Sequence, residues 1–234
     1  MDQPVGEPVP TFTPPQRPDG VVLEGRHVRV LPLDVDDHAT DLFAAFAGHP
    51  ELWTYMSVGP FEDLASFRTH LSDLRHQTDT VFVAFCTPEG RAIGMGSYLR
   101  ILPKDGSIEV GNLVFSPEMQ GSIAATEAMH LMMAWAFDAG YRRYEWKCNA
   151  LNIPSRRAAT RLGFSFEGIF RQAMIVKGRN RDTAWFAVID KDWPDLARAH
   201  LAWLDPSNFD QSGAQKTRLS EATAPLLHLR DPIL

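Results

Sequence analysis

The chain has 234 residues, which against a working domain size of roughly 150 residues predicts one large domain with appendages. Its composition, 44% hydrophobic, 10% aromatic and 22% charged, excludes a chain disordered throughout and a fibrous repeat. A formal net charge of -6, from 23 Lys and Arg against 29 Asp and Glu, argues against a general nucleic-acid binder, which needs a basic surface, and gives a mild attraction for cationic partners such as free amines.

Cys86 and Cys148 stand inside apolar runs, and no secretory leader pattern opens the sequence. The expectation is a reduced, cytoplasmic protein. The densest apolar run, around Met129 to Phe137, falls short of the roughly 18 residues of a membrane span, so no membrane partner is expected.

Residues 1-21 are rich in proline (Pro4, Pro8, Pro10, Pro14, Pro15, Pro18) and predict an extended arm, because proline blocks both helix and central strand. Polar and apolar residues alternate from Arg26 to a strand end at Pro32. Asp34 caps a helix to Ala47 that Gly48-His49-Pro50 stops, and a second helix runs from about Leu64 to His76, burying Phe67, Leu71 and Leu74. The aromatic connection between them, Leu52 to Phe61, reads equally as a ligand wall or as plain linker packing. Val81 to Thr87 and Ala92 to Ile101 form a hairpin, and Ser107 to Phe115 completes an antiparallel meander.

From Ile123 to Ala139 the chain is apolar on nearly every helical face, so that helix must be buried. Gly140 ends it, Arg143 to Cys148 is a strand, and Pro154 to Leu162 a helix ended by Gly163. Strand, buried helix and parallel strand make a βαβ crossover. Phe166 to Val176 and Arg181 to Ile189 form a last hairpin across Lys177 to Asn180. Pro194 to Leu204 predicts a C-terminal helix, and the tail after Pro206 is polar. The domain layout is therefore an arm over 1-21, a body over 22-193, and a C-terminal helix and polar tail over 194-234. The fold class is α/β, a mixed and mostly antiparallel sheet with a central βαβ crossover and flanking helices.

Gly94-Met95-Gly96 lacks the third glycine and the following helix of a dinucleotide fingerprint and reads as small residues in a strand. The histidines and cysteines show no metal-ligand spacing, so no metal is expected. His130 reads as a core histidine and Cys148 as an inert buried thiol.

Two segments carry chemistry. Ser116 to Thr126 turns from a strand directly into a helix, where free backbone N-H groups and the positive helix end attract anions such as phosphate, although any strand-to-helix turn has free amides and simple capping explains it as well. Cys148 to Phe164 follows the second crossover strand and so lies beside that turn at the carboxyl edge of the sheet, where ligands bind in open sheets. Asn152 and Ser155 there can orient a polar ligand, or Ser155 is a plain helix-start residue and Arg156-Arg157 a solvated basic turn.

Taken together, the element order, the Gln120 to Thr126 turn, Asn152-Ile153-Pro154-Ser155 and Leu162-Gly163-Phe164-Ser165-Phe166-Glu167-Gly168 resemble the GNAT superfamily of acetyl-CoA-dependent N-acetyltransferases, with the RimJ/RimL type as the nearest branch. The resemblance spans about residues 22-193. It departs at Ile123, which stands where the family's phosphate turn carries its first glycine, while Gln120 and Ala125 match. Backbone amides do the binding, and isoleucine supplies one as well where its φ is negative.

The resemblance implies acetyl-CoA as co-substrate, held by Gln120, Gly121, Ser122, Ile123, Ala124, Ala125, Thr126 and Asn152. Backbone groups of Leu113, Val114 and Phe115 would line the pantetheine and hold the acetyl carbonyl. Ser155 would contact the cofactor and protonate or hydrogen-bond the departing thiolate, and Glu109 is the best candidate base, through water, unless it is an outward strand carboxylate. RimL-type enzymes carry a carboxylate near where Met174 falls here. Trp53, Tyr55, Met56, Arg171 and Met174 would wall the acceptor side.

At pH 7 an α-amine of pKa about 7.8 is about 14% neutral, against about 0.04% for a lysine of pKa about 10.4. A site without a strong base therefore favours a peptide N-terminus or a small primary amine. A non-catalytic acyl-CoA sensor is the alternative, and a ligand-free interaction module a third. Monomer and homodimer both stay open.

Overall fold

The computed structural model describes residues 3-234; the first two residues of the expected arm lie outside them. Eight strands form one sheet: β1 (Leu23-Glu24), β2 (Arg29-Pro32), β3 (Val81-Cys86), β4 (Ala92-Leu102), β5 (Ser107-Phe115), β6 (Arg143-Asn149), β7 (Ser165-Val176) and β8 (Arg179-Ile189). Their spatial order is β1-β2-β3-β4-β5-β6-β8-β7. The β5-β6 pair is parallel and the rest are antiparallel.

One sheet face is covered by α1 (Val35-Phe46) and α2 (Leu64-Leu74). Asp34 starts α1 by accepting from the Asp36 and Asp37 amides, and Asp63 starts α2 by accepting from Ser66 N, which satisfies otherwise orphaned helix donors. Leu42, Phe46, Phe67 and Leu71 pack on Ala84, Met95 and Val114. The other face is covered by α3 (Ile123-Asp138), α4 (Ile153-Arg161) and α5 (Trp193-Leu204). α3 is the crossover between β5 and β6, and Met129, Met132, Met133 and Ala136 are buried under it.

Glu127 on α3 accepts from the amides of Arg26, His27 and Val28 at 3.0, 2.6 and 3.0 Å. That grip explains a departure from expectation: instead of one strand from Arg26, the chain pairs Leu23-Glu24 with Arg29-Val30, and the amides between them go to a side chain.

The arm and the tail both pack on this body. Pro15 and Pro18 are buried, and the Tyr141 hydroxyl donates to Gln16 O at 3.1 Å. The tail, polar in composition, folds back through a short helix α6 (Leu219-Thr223). Leu219 and Thr223 are fully buried, and so is most of Asp231. No helix is long and apolar enough to cross a membrane among the described residues.

Candidate active site

Elements of the sheet create the opening. β5 pairs with β6 from Ser107-Arg143 to Val110-Trp146 and no further. β5 nevertheless continues beside β4 to Phe115, and β6 beside β8 to Asn149. The two parallel strands therefore diverge at their carboxyl ends, next to the first turns of α3 and α4. On the β5 side the register slips between Met95-Val114 and Ser97-Gly111, so Asn112 and Leu113 bulge out of the ladder.

Asn112 sits at φ 51, a left-handed conformation that asparagine tolerates better than most side-chain-bearing residues. Its Nδ2 donates to Ser97 Oγ at 2.9 Å, and that hydroxyl donates to Gly111 O at 3.2 Å. This bulge re-aims backbone groups of β5 at the opening. Opposite it, Gly96 lets Leu113 and Phe85 close in, since a Cβ there would come within 2.7 Å of the Leu113 side chain.

The anion turn follows directly. Gly121 has φ 69. Ser122 is the N-cap of α3, its Oγ accepting from Ala125 N at 3.1 Å and donating to Met119 O at 2.7 Å. The amides of Gly121, Ile123 and Ala124 find no hydrogen-bond partner within the described protein. Capping and free amides thus coexist, and three donors converge at the positive end of a 16-residue helix, which suits a pyrophosphate. Gln120 Nε2 donates to Phe115 O at 3.0 Å, so this glutamine ties the turn to the strand, and the Phe115 carbonyl is taken. Thr126 faces inward, its hydroxyl accepting from Arg161 at 3.0 Å, which removes its side chain from the cradle.

Across the opening, Asn152 caps α4 by accepting from Ser155 N at 3.2 Å, which fixes the turn on which Ser155 stands. Ser155 Oγ accepts from the Trp146 indole N-H at 3.0 Å. Burial raises the Cys148 pKa against the opposing pull of Ser155, so the sulfur stays a thiol. His130 packs on Trp193 and His200, and burial lowers its pKa.

Arg156 departs from a solvated turn. Its side chain is 3% exposed against 0% for Asp231; Nε donates to Asp231 Oδ2 at 2.7 Å and Nη1 to Ala150 O at 2.8 Å. The tail thereby holds the loop that presents Asn152 and Ser155.

Glu109 is buried, not outward, and a base role does not fit its surroundings. Arg100 Nη1 donates to both carboxylate oxygens, at 2.8 and 2.7 Å, and Lys147 Nζ lies 2.8 Å from Oε2. Lys147 also pairs with Glu145 at 2.7 Å and sits 3.7 Å above the Trp185 ring. Both Glu109 carboxylate oxygens are thus already engaged by cationic side chains.

The expected acceptor wall divides. Trp53 is a core residue, edge-on to Phe46, Phe61 and Phe67, because a buried aromatic cluster under α1 and α2 outcompetes the opening for its ring. Met56 is partly buried against the same core. Tyr55 spans instead: its hydroxyl donates to Leu151 O at 3.1 Å. Arg171 and Met174 lie exposed on β7. The β7-β8 hairpin reaches the α1-α2 connection through Lys177, whose Nζ donates to Trp53 O at 2.9 Å and Gly59 O at 2.8 Å. Tyr55 and Lys177 thus arch the acceptor side. Sequence reasoning missed Lys177, Lys147 and Asn112; only Gly111-Asn112 inside a strand carried a local signal, for a bulge.

A mixed sheet forced open at the carboxyl ends of two parallel strands, with an amide cradle on one lip and a serine on the other, defines an acyltransferase that uses a pyrophosphate-bearing thioester. Residues 27-165 match the family described as Acetyltransferase (GNAT) domain. The chain is 44% identical to a GCN5-related N-acetyltransferase from Brucella melitensis, covering 92% of this chain and 100% of that one with a TM-score of 0.89. It is 37% identical to a probable GNAT-family acetyltransferase from Chromobacterium violaceum, covering 83% and 98% at a TM-score of 0.78. It is also 25% identical over 158 residues to the uncharacterized N-acetyltransferase p20 of Bacillus licheniformis, covering 65% of this chain and 88% of that protein. The chain belongs to the GNAT acetyltransferase family, and acetyl-CoA is its co-substrate.

Proposed function

We propose that the enzyme acetylates a primary amine, a peptide N-terminal α-amine or a small amine, by direct attack in a ternary complex, in the manner of the RimJ/RimL-like branch. The single observation that carries this reading is the divergence of β5 from β6 after Val110 and Trp146, which leaves the Asn112-Leu113 bulge facing the loop that carries Ser155. Acetyl-CoA, when bound, supplies the activated acetyl group. The amides of Gly121, Ile123 and Ala124 hold its phosphates, and bulge amides of β5 stabilise charge on the carbonyl oxygen.

The amine nitrogen bonds to the acetyl carbon as the carbon-sulfur bond breaks. Ser155 Oγ, its lone pair engaged by Trp146, donates its proton to the thiolate, and the proton shed by the amine returns to Ser155 through water, so that the hydroxyl is restored. With Glu109 locked between Arg100 and Lys147, the acceptor must arrive neutral, which favours α-amines over lysine.

The test is thiol release from acetyl-CoA across peptide N-termini, amino acids and polyamines. Ser155→Ala is expected to lower kcat by about 100-fold or more. A loss below about threefold overturns the role of Ser155, and faster acetylation of a lysine side chain than of an α-amine overturns the acceptor class.

A further inference from the structure

β8 carries two orphaned polar groups side by side on the acceptor face. Arg181 Nε and Thr183 Oγ1 are both shielded from solvent and neither has a hydrogen-bond partner. Buried polar atoms without partners are rare, because each costs about 1-3 kcal/mol, and two of them two residues apart share one side of a strand. That side is set by Trp185, four residues beyond Arg181, whose ring lies under Lys147. Arg181 makes no ion pair among the described residues, although Arg100 and Lys147 beside it are both held by Glu109.

The position of Arg181 follows from where β6 stops. β6 pairs with β8 only to Asn149-Thr183, so Arg181 lies past the end of β6, at the mouth of the opening. It lies close enough to feel the charges of Glu109 and Arg100. Burial lowers its pKa, with Arg100 adding to the shift and Glu109 opposing it. A guanidinium in that place presents several donors in a rigid fork, and the Thr183 hydroxyl adds one more.

We infer that Arg181, with Thr183, binds an oxyanion on the acceptor, so that the substrate is a primary amine carrying a carboxylate or phosphate. This rests on the acetyl-transfer reading above and narrows its substrate class. The amine nitrogen would face the opening while the anion is held on the β8 side. Charge-assisted pairs of this kind are the strong ones in a partly dry site, and the chain's overall negative charge makes a local anion receptor selective rather than general.

The experiment compares small amines matched except for the anion: aspartic acid α-amide with asparagine α-amide, and 2-aminoethyl phosphate with 2-aminoethanol. Thiol release is expected to give the anionic member of at least one pair a kcat/KM about tenfold or more above its neutral partner. Arg181→Gln is expected to bring that ratio toward one, acting through KM, and Arg181→Lys to restore part of it. Equal rates within both pairs in the unaltered enzyme overturn the inference, as does a loss in Arg181→Gln that falls equally on both members. The two pairs separate a carboxylate from a phosphate preference.

A second readout needs no turnover. Inorganic phosphate and acetate are titrated against intrinsic fluorescence, to which Trp185 contributes. Saturable binding that Arg181→Gln abolishes is expected, and its absence for both anions overturns the oxyanion site. Absence of thiol release with every amine alongside saturable, Arg181-dependent binding would sink the acetyl-transfer reading and leave the anion site standing.

Discussion

Removing Asp231 should be the most damaging single change outside the opening. The Arg156 and Asp231 side chains are 3% and 0% exposed, and the guanidinium donates to Asp231 through Nε and Nη2 and to Ala150 O through Nη1. In Asp231→Ala the Ala150 contact remains but the buried positive charge loses its counterion. Breaking such a pair typically costs about 3-5 kcal/mol. For a chain of this size, about 2-4 °C of Tm per kcal/mol translates that into a fall of roughly 6-20 °C by differential scanning calorimetry. Because an apolar pair of similar volume can be neutral, the double replacement Arg156→Met with Asp231→Leu should recover most of the loss. A fall of less than about 1 kcal/mol in Asp231→Ala, or no recovery in the double variant, would refute the reasoning.

Stability should also drop in mild acid. Burial pushes the His200 pKa down from 6.5 to about 4, so the unfolded chain binds the proton first as pH falls. Stability from this residue is full above pH 6.5 and is lost progressively toward pH 4, about 3 kcal/mol in all. Urea titrations should show that this part of the slope vanishes in His200→Gln; an unchanged slope counts against the assignment. Asn112→Val places a β-branched residue at φ 51 and should lower kcat roughly tenfold or more by displacing the bulge amides, with acetyl-CoA binding by calorimetry little changed. Lys177→Met removes both donations to the α1-α2 connection and should raise the acceptor KM several-fold, on the order of fivefold; a rise confined to the KM of acetyl-CoA would contradict the arch.

What was legible in the sequence was short-range. Asp34 announces its helix through a side chain that reaches two or three residues, and the unbroken apolar run of α3 requires burial wherever it lies. The free amides of the turn before α3 were legible because they belong to the backbone, so Ile123 could replace a glycine without removing one. The side chains of Thr126 and Trp53 turn away from the opening for one reason: chain position brings the residues near it, but Arg161 and the aromatic cluster draw those side chains elsewhere. Glu109 could not be resolved, since strand alternation fixes a face but not that Arg100 and Lys147 would occupy its oxygens. Arg156 with Asp231 joins positions 75 residues apart, beyond any periodicity or spacing rule.

Gly94 gives β4 a further role. A Cβ there would meet the Met119 sulfur at 2.7 Å and the Val114 carbonyl at 3.1 Å, and Met119 is the residue whose carbonyl receives the Ser122 hydroxyl. The strand behind the opening is thus the seat on which the phosphate turn rests, and one added methyl would tilt that seat. If the turn holds the cofactor phosphates as proposed, repacking this part of the interior would alter grip on the nucleotide end of acetyl-CoA before it altered chemistry at the acetyl end. For anyone tuning this enzyme, β4 is on the proposed reading a place to adjust cofactor affinity from inside the protein.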